Sequence, residues 1–104
     1  MELIITTKPA PECYLISITG EIDISNAPKL REAIDFALEQ PTEEVRLDFA
    51  EVSYIDSTGI GVLVGAAHHA EEHGKRFSAV NAQPNVLRVA QLLGLDKEIG
   101  ITAA

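Results

Sequence analysis

The sequence is poor in the residues that most often carry chemistry by themselves. Its 104 residues include a single cysteine, Cys13, no tryptophan and three histidines. A single cysteine excludes an internal disulfide. Because Cys13 lies in an apolar run, we expect it to pack as a small, buried hydrophobic side chain. An enzymatic or metal-binding role therefore has few side chains to draw on.

Basic residues are also scarce, since eight Lys and Arg stand against sixteen Asp and Glu and the formal net charge is −8. Nucleic-acid binding needs basic patches that neutralise phosphates, so this balance argues against nucleic acid and against an anionic membrane surface. No apolar run approaches the ~20 residues that span a bilayer, and residues 1–3 do not resemble a signal peptide. We therefore expect a cytoplasmic protein without direct membrane insertion, whose partner is a protein with a neutral or basic face.

The apolar pattern predicts one α/β domain over residues 1–104, a length that suits a single compact domain. Alternating and β-branched runs predict strands at residues 3–7, 13–19, 45–49 and 77–80 and a short last strand at 99–101. Helical spacing predicts three helices: one before Gln40, one from about Thr58 to His73 and one that ends at Leu93. A proline-rich loop joins the first two strands into a hairpin. The later strand–helix alternation predicts a mixed four- to five-stranded sheet with helices packed on it.

The stretch from Val52 to Gly65 predicts the end of a strand, a polar turn and the start of an apolar helix. The side-chain oxygens of Asp56, Ser57 and Thr58 can each accept a hydrogen bond from a free N–H of the first helical turn. That turn carries a partial positive charge and unpaired N–H donors, so it can also accommodate an anion such as a phosphate group. This turn is therefore the strongest candidate site in the chain.

Three glycines follow within two turns of this helix, at Gly59, Gly61 and Gly65. Each costs a helix about 1 kcal/mol relative to alanine, which suggests that something must approach the backbone closely. Helical spacing predicts a buried stripe of four apolar residues: Ile60, Leu63, Val64 and Ala67. We therefore expect the glycines to lie off the buried stripe and to form a bare patch beside the hydroxyls.

The residues of this turn resemble the phosphorylation motif of STAS-domain anti-sigma-factor antagonists, in which the serine after the aspartate is phosphorylated by an anti-sigma factor that is also a kinase. Here the motif is Asp56-Ser57-Thr58-Gly59-Ile60-Gly61. Three further segments also resemble the family: Gly20-Glu21-Ile22-Asp23, Ala27-Pro28-Lys29-Leu30 and Leu92-Leu93-Gly94-Leu95-Asp96-Lys97. The match covers nearly the whole chain in the right order and implies a single STAS-type domain.

By this resemblance, the unmodified chain would bind an anti-sigma factor with serine-kinase activity and so free a sigma factor for transcription. Phosphorylation of Ser57 would switch the binding off, and a serine phosphatase of the metal-dependent type would reset it. The kinase would hold Mg-ATP in its own site, so this chain would need no cofactor and would not be an enzyme. We also expect the chain to be a monomer. The implied partner-binding residues are Asp23, Ser25, Asp56, Ser57, Thr58, Gly59, Gly61 and Gly65.

Several of these residues also have a structural interpretation. Ser57 can act as a helix cap alone, and Thr58, the second candidate phosphoacceptor, can simply belong to the first helical turn. Asp56 can cap the helix, anchor the loop, act as a base toward Ser57 or help to hold the kinase's metal, and the cap or anchor is favoured. Asp23 can be an interface residue or a solvent-facing turn residue.

Spacing argues against other kinds of site. His68, the histidine nearest to Ser57, lies eleven residues on in the same predicted helix, which places it roughly 16 Å away and excludes a Ser–His pair. His69 and His73 share a helix face, but no third zinc ligand is evident. The glycine run of residues 59–65 is one residue too long for a dinucleotide fingerprint and lacks the later acidic residue.

One alternative function keeps the same fold. Short STAS proteins also serve as accessory subunits of membrane lipid-transport ATPases. The intact Asp-Ser-Thr-Gly motif and the Gly-Glu-Ile-Asp turn favour the antagonist. Ala66-Ala67-His68-His69 departs from the basic or aromatic residues frequent in antagonists, which leaves the identity of the partner open.

Overall fold

The computed structural model of the chain describes residues 2–104. The strands are β1 Ile4–Lys8, β2 Tyr14–Ile22, β3 Glu44–Ile55, β4 Arg76–Ala82 and β5 Ile101–Ala103. They form one sheet in the order β1-β2-β3-β4-β5. β1 and β2 pair antiparallel, and the other neighbouring strands pair parallel. The predicted hairpin and the predicted mixed sheet are confirmed.

Helices connect the parallel strands. α1 (Ala27–Leu38) joins β2 to β3, and α2 (Ser57–Glu72) joins β3 to β4. α3 (Pro84–Leu92) and the short α4 (Asp96–Ile99) lie between β4 and β5. Prolines stand in the first turns of α1 and α3, where the missing N–H would have no helical partner anyway. Within residues 2–104, no helix is long and apolar enough to cross a bilayer.

The core lies on one face of the sheet, under the helices. Strand side chains point to opposite faces in turn, so alternate residues of β2 and β3 are buried. These buried residues are Tyr14, Ile16, Ile18, Val45, Leu47 and Phe49. Between them, Arg46 is exposed and Asp48 is half-buried. α1 covers this face with Leu30, Ile34 and Leu38, which are all buried.

β3 is longer than the apolar pattern predicts. It continues from Phe49 to Ile55, and its pairing with β2 shifts register between residues 17 and 19 and again between residues 20 and 21. Such irregularities break the alternation of buried and exposed side chains. The alternating pattern therefore ends before the strand does.

The C-terminal end also differs from the prediction. The last strand begins at Ile101 instead of Ile99, because Asp96–Ile99 forms α4. A four-residue helix is too short to show apolar periodicity in the sequence. α4 ends at Gly100, whose φ of 76° lies in the left-handed region that glycine adopts without strain.

Cys13 is half-buried and lies outside the core, so the expectation of a buried side chain is wrong. It stands at the end of the proline-rich loop, just before β2 begins at Tyr14. Partial burial and then the charge of Glu44 raise the pKa of its thiol. Cys13 is therefore held in the less reactive thiol form.

Candidate functional site

The candidate site lies at the end of the sheet where β2 and β3 both finish. The two strands are parallel neighbours, and their last residues, Ile22 and Ile55, are paired. The chain therefore leaves the same end of the sheet twice, first into the turn Asp23–Asn26 and later into α2. This arrangement brings together the two segments that the sequence singled out.

Asp56 joins these segments through both oxygens of its carboxylate. Oδ1 accepts a hydrogen bond from the N–H of Gly59 at 2.9 Å, which makes Asp56 the N-cap of α2. Oδ2 accepts a hydrogen bond from the N–H of Ile24 at 3.1 Å, across 32 residues of sequence. Asp56 is thus both the helix cap and the loop anchor, the two roles that the sequence favours.

Ser57 is the first residue of α2, and both Ser57 and Thr58 are exposed. Because Asp56 occupies the cap position, the interpretation of Ser57 as the capping residue is wrong. An exposed hydroxyl in the first helical turn is within reach of another protein. A phosphate carried there would lie at the positive end of the helix, where an anion is favoured.

Gly59 is buried, so the expectation that all three glycines lie off the buried stripe is wrong for this one. A methyl group at Gly59 would lie 2.7 Å from Cγ2 of Ile22 and 2.7 Å from Cγ1 of Ile55. Glycine is the residue that lets the start of α2 rest this closely on the two strand ends. Gly59 therefore positions the helix and is not available to contact a partner.

Gly61 and Gly65 are exposed, and a methyl group at either position would meet nothing within 4 Å. They line a groove of about 510 Å³ between α1 and α2. The other residues of this groove are Arg31, Ile34, Asp35, Thr58, Val62, Ala66 and His69. The predicted bare patch is confirmed for these two glycines, and it begins beside the hydroxyl-bearing turn.

The buried stripe of α2 is rotated relative to the prediction. Its side chains are Ile60, Leu63, Ala66 and Ala70. Val64 and Ala67, which were expected in the stripe, are half-buried. α2 contacts α1, α4 and the sheet, so it carries apolar residues on more than one face and the pattern alone selects the wrong stripe.

The turn Asp23–Asn26 is held by its own polar side chains. Oδ1 of Asp23 accepts hydrogen bonds from the N–H of Ser25 at 2.9 Å and from its hydroxyl. The Asn26 side chain accepts from the N–H of Asp23 and donates to the carbonyl of Glu21, so it does not cap α1. The hydroxyl of Ser25, and then its N–H, lower the pKa of the Asp23 carboxyl, which therefore stays ionised.

Ile24 lies in this turn, between the two residues that the sequence singled out, and 73% of its surface is exposed. Its N–H is the group that Asp56 holds. The sequence does contain a signal, since an isoleucine stands between Asp23 and Ser25 where polar residues are expected. Ile24 is therefore a further candidate contact residue at this end of the sheet.

The histidines of α2 have separate partners. His68 Nε2 lies 2.7 Å from Oε1 of Glu98, and His69 Nδ1 lies 3.3 Å from Oδ1 of Asp35. His73 Nδ1 lies 2.9 Å from the carbonyl oxygen of His69. In the part of the chain that the structure describes, no three His, Cys, Asp or Glu side chains are placed to hold a metal ion.

Sequence and structure comparisons identify the family. The family model described as "Mlab, STAS domain" matches residues 5–102. The chain belongs to the STAS domain family. This STAS domain is 33% identical to the anti-sigma-B factor antagonist of Bacillus subtilis over 103 residues, which is 99% of this chain and 94% of the relative. The expected membership of the STAS-domain anti-sigma-factor antagonists is confirmed.

Two solved structures of SpoIIAA share the fold of this STAS domain. The unphosphorylated form, described as an anti-sigma factor antagonist, matches with a TM-score of 0.81 at 25% identity, over 97% of this chain and 88% of that chain. The phosphorylated form, from Bacillus, matches with a TM-score of 0.74 at 24% identity, over 97% of this chain and 91% of that chain. The single α/β domain with a mixed sheet is therefore the fold of this family.

Proposed function

We propose that this STAS domain, when unphosphorylated, binds an anti-sigma factor with serine-kinase activity and thereby frees a sigma factor. Phosphorylation of Ser57 ends the binding, and a serine phosphatase of the metal-dependent type restores it. The domain acts in the cytoplasm as a monomer and needs no cofactor of its own. The observation that carries this proposal is the exposed Ser57 at the first position of α2, next to an aspartate that already caps the helix.

The docking face comprises seven residues from the turn, the start of α2 and the groove. They are Asp23, Ser25, Asp56, Ser57, Thr58, Gly61 and Gly65. Gly59 lies outside this face because it is buried under the helix. The net charge of −8 favours a partner whose matching surface is basic.

The physical basis of the switch is a change in charge and bulk at one position of the docking face. A phosphate adds about −1.5 to −2 charges and three acceptor oxygens. At a helix N-terminus it is favoured by the helix dipole, so α2 should stay folded. The effect therefore falls on the partner, which meets a second anion beside Asp56 and a larger group where it packed before.

The proposal treats Ser57 as a substrate of another protein's catalysis. Ser57 and His68 both belong to α2, as predicted, so about eleven helical rises of 1.5 Å separate them. His68 lies instead beside Glu98. A histidine base for Ser57 would have to come from the partner. Thr58, also exposed in the first turn, is the second candidate phosphoacceptor.

An accessory subunit of a membrane lipid-transport ATPase is the alternative function of the same fold. The description of the matched family model names a STAS domain and no anti-sigma factor. Binding to a transport ATPase from a membrane extract therefore has to be tested as well. The similarity to relatives named as antagonists of an anti-sigma factor supports the first function over this alternative.

The test is to measure how wild type, Ser57→Ala and Ser57→Asp bind each purified kinase-type anti-sigma factor of the source organism. We expect wild type and Ser57→Ala to bind one of them. Ser57→Asp should bind it about tenfold or more weakly, which corresponds to a loss of about 1.4 kcal/mol or more. If no anti-sigma factor binds and all three forms retain the same transport ATPase from a membrane extract, the alternative replaces the proposal.

A further inference from the structure

Ile24 is a large hydrophobic residue of the turn Asp23–Asn26 that remains in solvent. With 73% of its surface exposed, it makes little contribution to the core. Side chains of this size are found in solvent singly on many proteins, so exposure alone decides nothing. Two further features distinguish Ile24: the hydrogen bonds that hold its backbone, and the link through Asp56 to the segment that carries Ser57.

The backbone of Ile24 is held by hydrogen bonds to Asp56 and within its own turn. Its N–H donates to Oδ2 of Asp56 at 3.1 Å. The residues on both sides are bonded to each other, because Asp23 accepts from the N–H of Ser25 at 2.9 Å. Asn26 closes the turn by accepting from the N–H of Asp23 at 2.9 Å. A residue fixed in this way loses little further conformational entropy when a partner covers it.

Ile24 also lies next to the proposed phosphoacceptor. The carboxylate that accepts its N–H belongs to Asp56, and Ser57 is the following residue. A protein that binds the Ile24 side chain would therefore contact the domain close to the segment that carries Ser57. The two hydrogen bonds of the Asp56 side chain, to the N–H groups of Ile24 and Gly59, fix the position of the Ile24 backbone relative to the start of α2.

We propose that Ile24 is the apolar anchor by which the kinase-type anti-sigma factor docks on this domain and presents Ser57 to its active site. This inference rests on the proposed function and identifies the chemistry of the partner. The partner's surface has a pocket for one branched aliphatic side chain, and basic groups rim that pocket. Buried apolar anchors of this kind, surrounded by polar contacts, carry most of the binding energy in many interfaces.

The charges around Ile24 favour this occupant over a second copy of the chain. Asp23 precedes it, and the carboxylate of Asp56 lies against its N–H. The hydrogen bonds from Ser25 keep Asp23 ionised. Two copies meeting at Ile24 would bring four carboxylates together between molecules that each carry −8. A partner with a basic rim would find complementary charge at the same place.

The test compares Ile24→Ser with a matched control, Leu92→Ser. Leu92 is 75% exposed and stands at the end of α3, so it has the same exposure outside the docking face. Ile24→Val keeps a branched apolar side chain. The measurements are the Kd for the kinase-type anti-sigma factor that binds wild type, the rate of phosphate incorporation at Ser57, and the unfolding midpoint of each variant.

We expect Ile24→Ser to weaken binding by about tenfold or more and to slow phosphorylation of Ser57. Ile24→Val and Leu92→Ser should stay within about threefold of wild type, and all unfolding midpoints should be alike. Binding by Ile24→Ser within about threefold of wild type, while Ser57→Asp still weakens it, overturns the anchor and leaves the proposed function standing. If wild type binds no such factor, both fail.

Discussion

Asp56 shows how one side chain can serve both the fold and the docking face. Its Oδ1 caps α2 at Gly59, and its Oδ2 holds the N–H of Ile24. Serine is about as good an N-cap residue as aspartate, but its single hydroxyl on a shorter side chain cannot also reach the turn. Substitution can therefore separate the two roles.

We expect Asp56→Ala to lower the free energy of unfolding by about 0.5–2 kcal/mol, the usual cost of a lost N-cap, and Asp56→Ser to lower it by much less. Both variants should bind the anti-sigma factor more weakly, because both release Ile24 from its position. Urea denaturation followed by circular dichroism measures the first quantity, and titration calorimetry measures the second. Wild-type affinity in Asp56→Ser would show that the anchoring bond has no role in docking.

At the scale of single residues, the sequence indicates which residues form the site, but it does not indicate all of the hydrogen bonds that those residues make. The cap of Asp56 on Gly59 spans three residues and follows from residue type. Its bond to Ile24 spans 32 residues and depends on the pairing of two strands that shift register twice. The turn that contains Ile24 was expected at the docking face, but Ile24 was not singled out within it, because an apolar residue in a short turn gives no local signal of exposure.

Among the secondary-structure elements, α2 carries most of the site, and its glycines are there for two different reasons. Gly59 allows close packing, since a methyl group would lie 2.7 Å from side chains of Ile22 and Ile55. Gly61 and Gly65 face open space in the groove between α1 and α2. The first glycine serves the fold, and we assign the other two to docking.

Alanine substitutions should distinguish these reasons. Gly59→Ala should destabilise the domain by about 1–3 kcal/mol, the usual cost of overpacking a tight contact. Gly65→Ala should raise the free energy of unfolding by up to about 1 kcal/mol, because alanine favours the helix and its methyl group meets nothing. The same Gly65→Ala variant should bind the anti-sigma factor more weakly, since the methyl group fills part of the groove.

The measurements are equilibrium unfolding in urea and the Kd of each folded variant. Gly61→Ala serves as a second groove variant and should behave like Gly65→Ala. A Gly65→Ala domain that is more stable and binds as tightly as wild type would remove the groove from the docking face. A Gly59→Ala domain as stable as wild type would contradict the close packing of α2 on the strand ends.

The type of each long element follows from the sequence, whereas the orientation of α2 does not. α2 was predicted from about Thr58 to His73 and spans Ser57–Glu72. Its buried stripe was misplaced because the helix touches several neighbours and is apolar on more than one side. α4 has only four residues, so it shows no period that a sequence pattern could reveal.

The whole molecule assembles the site through the order of its strands. The mixed sheet could be predicted from the sequence, because two strands are followed by an alternation of strands and helices. The pairing of β2 with β3 could not be predicted in this way. That pairing places Ile22 beside Ile55 and so brings Asp23, Ile24 and Ser57 to the same end of the sheet. Parallel neighbours far apart in sequence leave no local signal, so only the resemblance of the separate motifs to one family connected them beforehand.

Net charge also acts on the scale of the whole molecule. A domain at −8 attracts a basic partner over a distance set by ionic strength. At Ser57 itself, an added negative charge would instead face the nucleotide phosphates that the proposed kinase holds there, so it would oppose binding. Phosphorylation therefore needs no change of fold to act as a switch. The fold shared with both the unphosphorylated and the phosphorylated form of SpoIIAA is compatible with such a mechanism.

The most direct test is the affinity of the purified kinase-type anti-sigma factor for two forms of this domain: unmodified, and fully phosphorylated at Ser57 as verified by mass spectrometry. Ser57→Ala treated with the same kinase is the control for modification elsewhere, including Thr58. Our proposal predicts that phosphorylation raises the Kd by about a hundredfold or more, because the phosphate would meet the nucleotide phosphates that the kinase holds opposite Ser57, and like charges brought together in an interface cost several kcal/mol. Equal Kd values for the two forms would contradict the switch at Ser57.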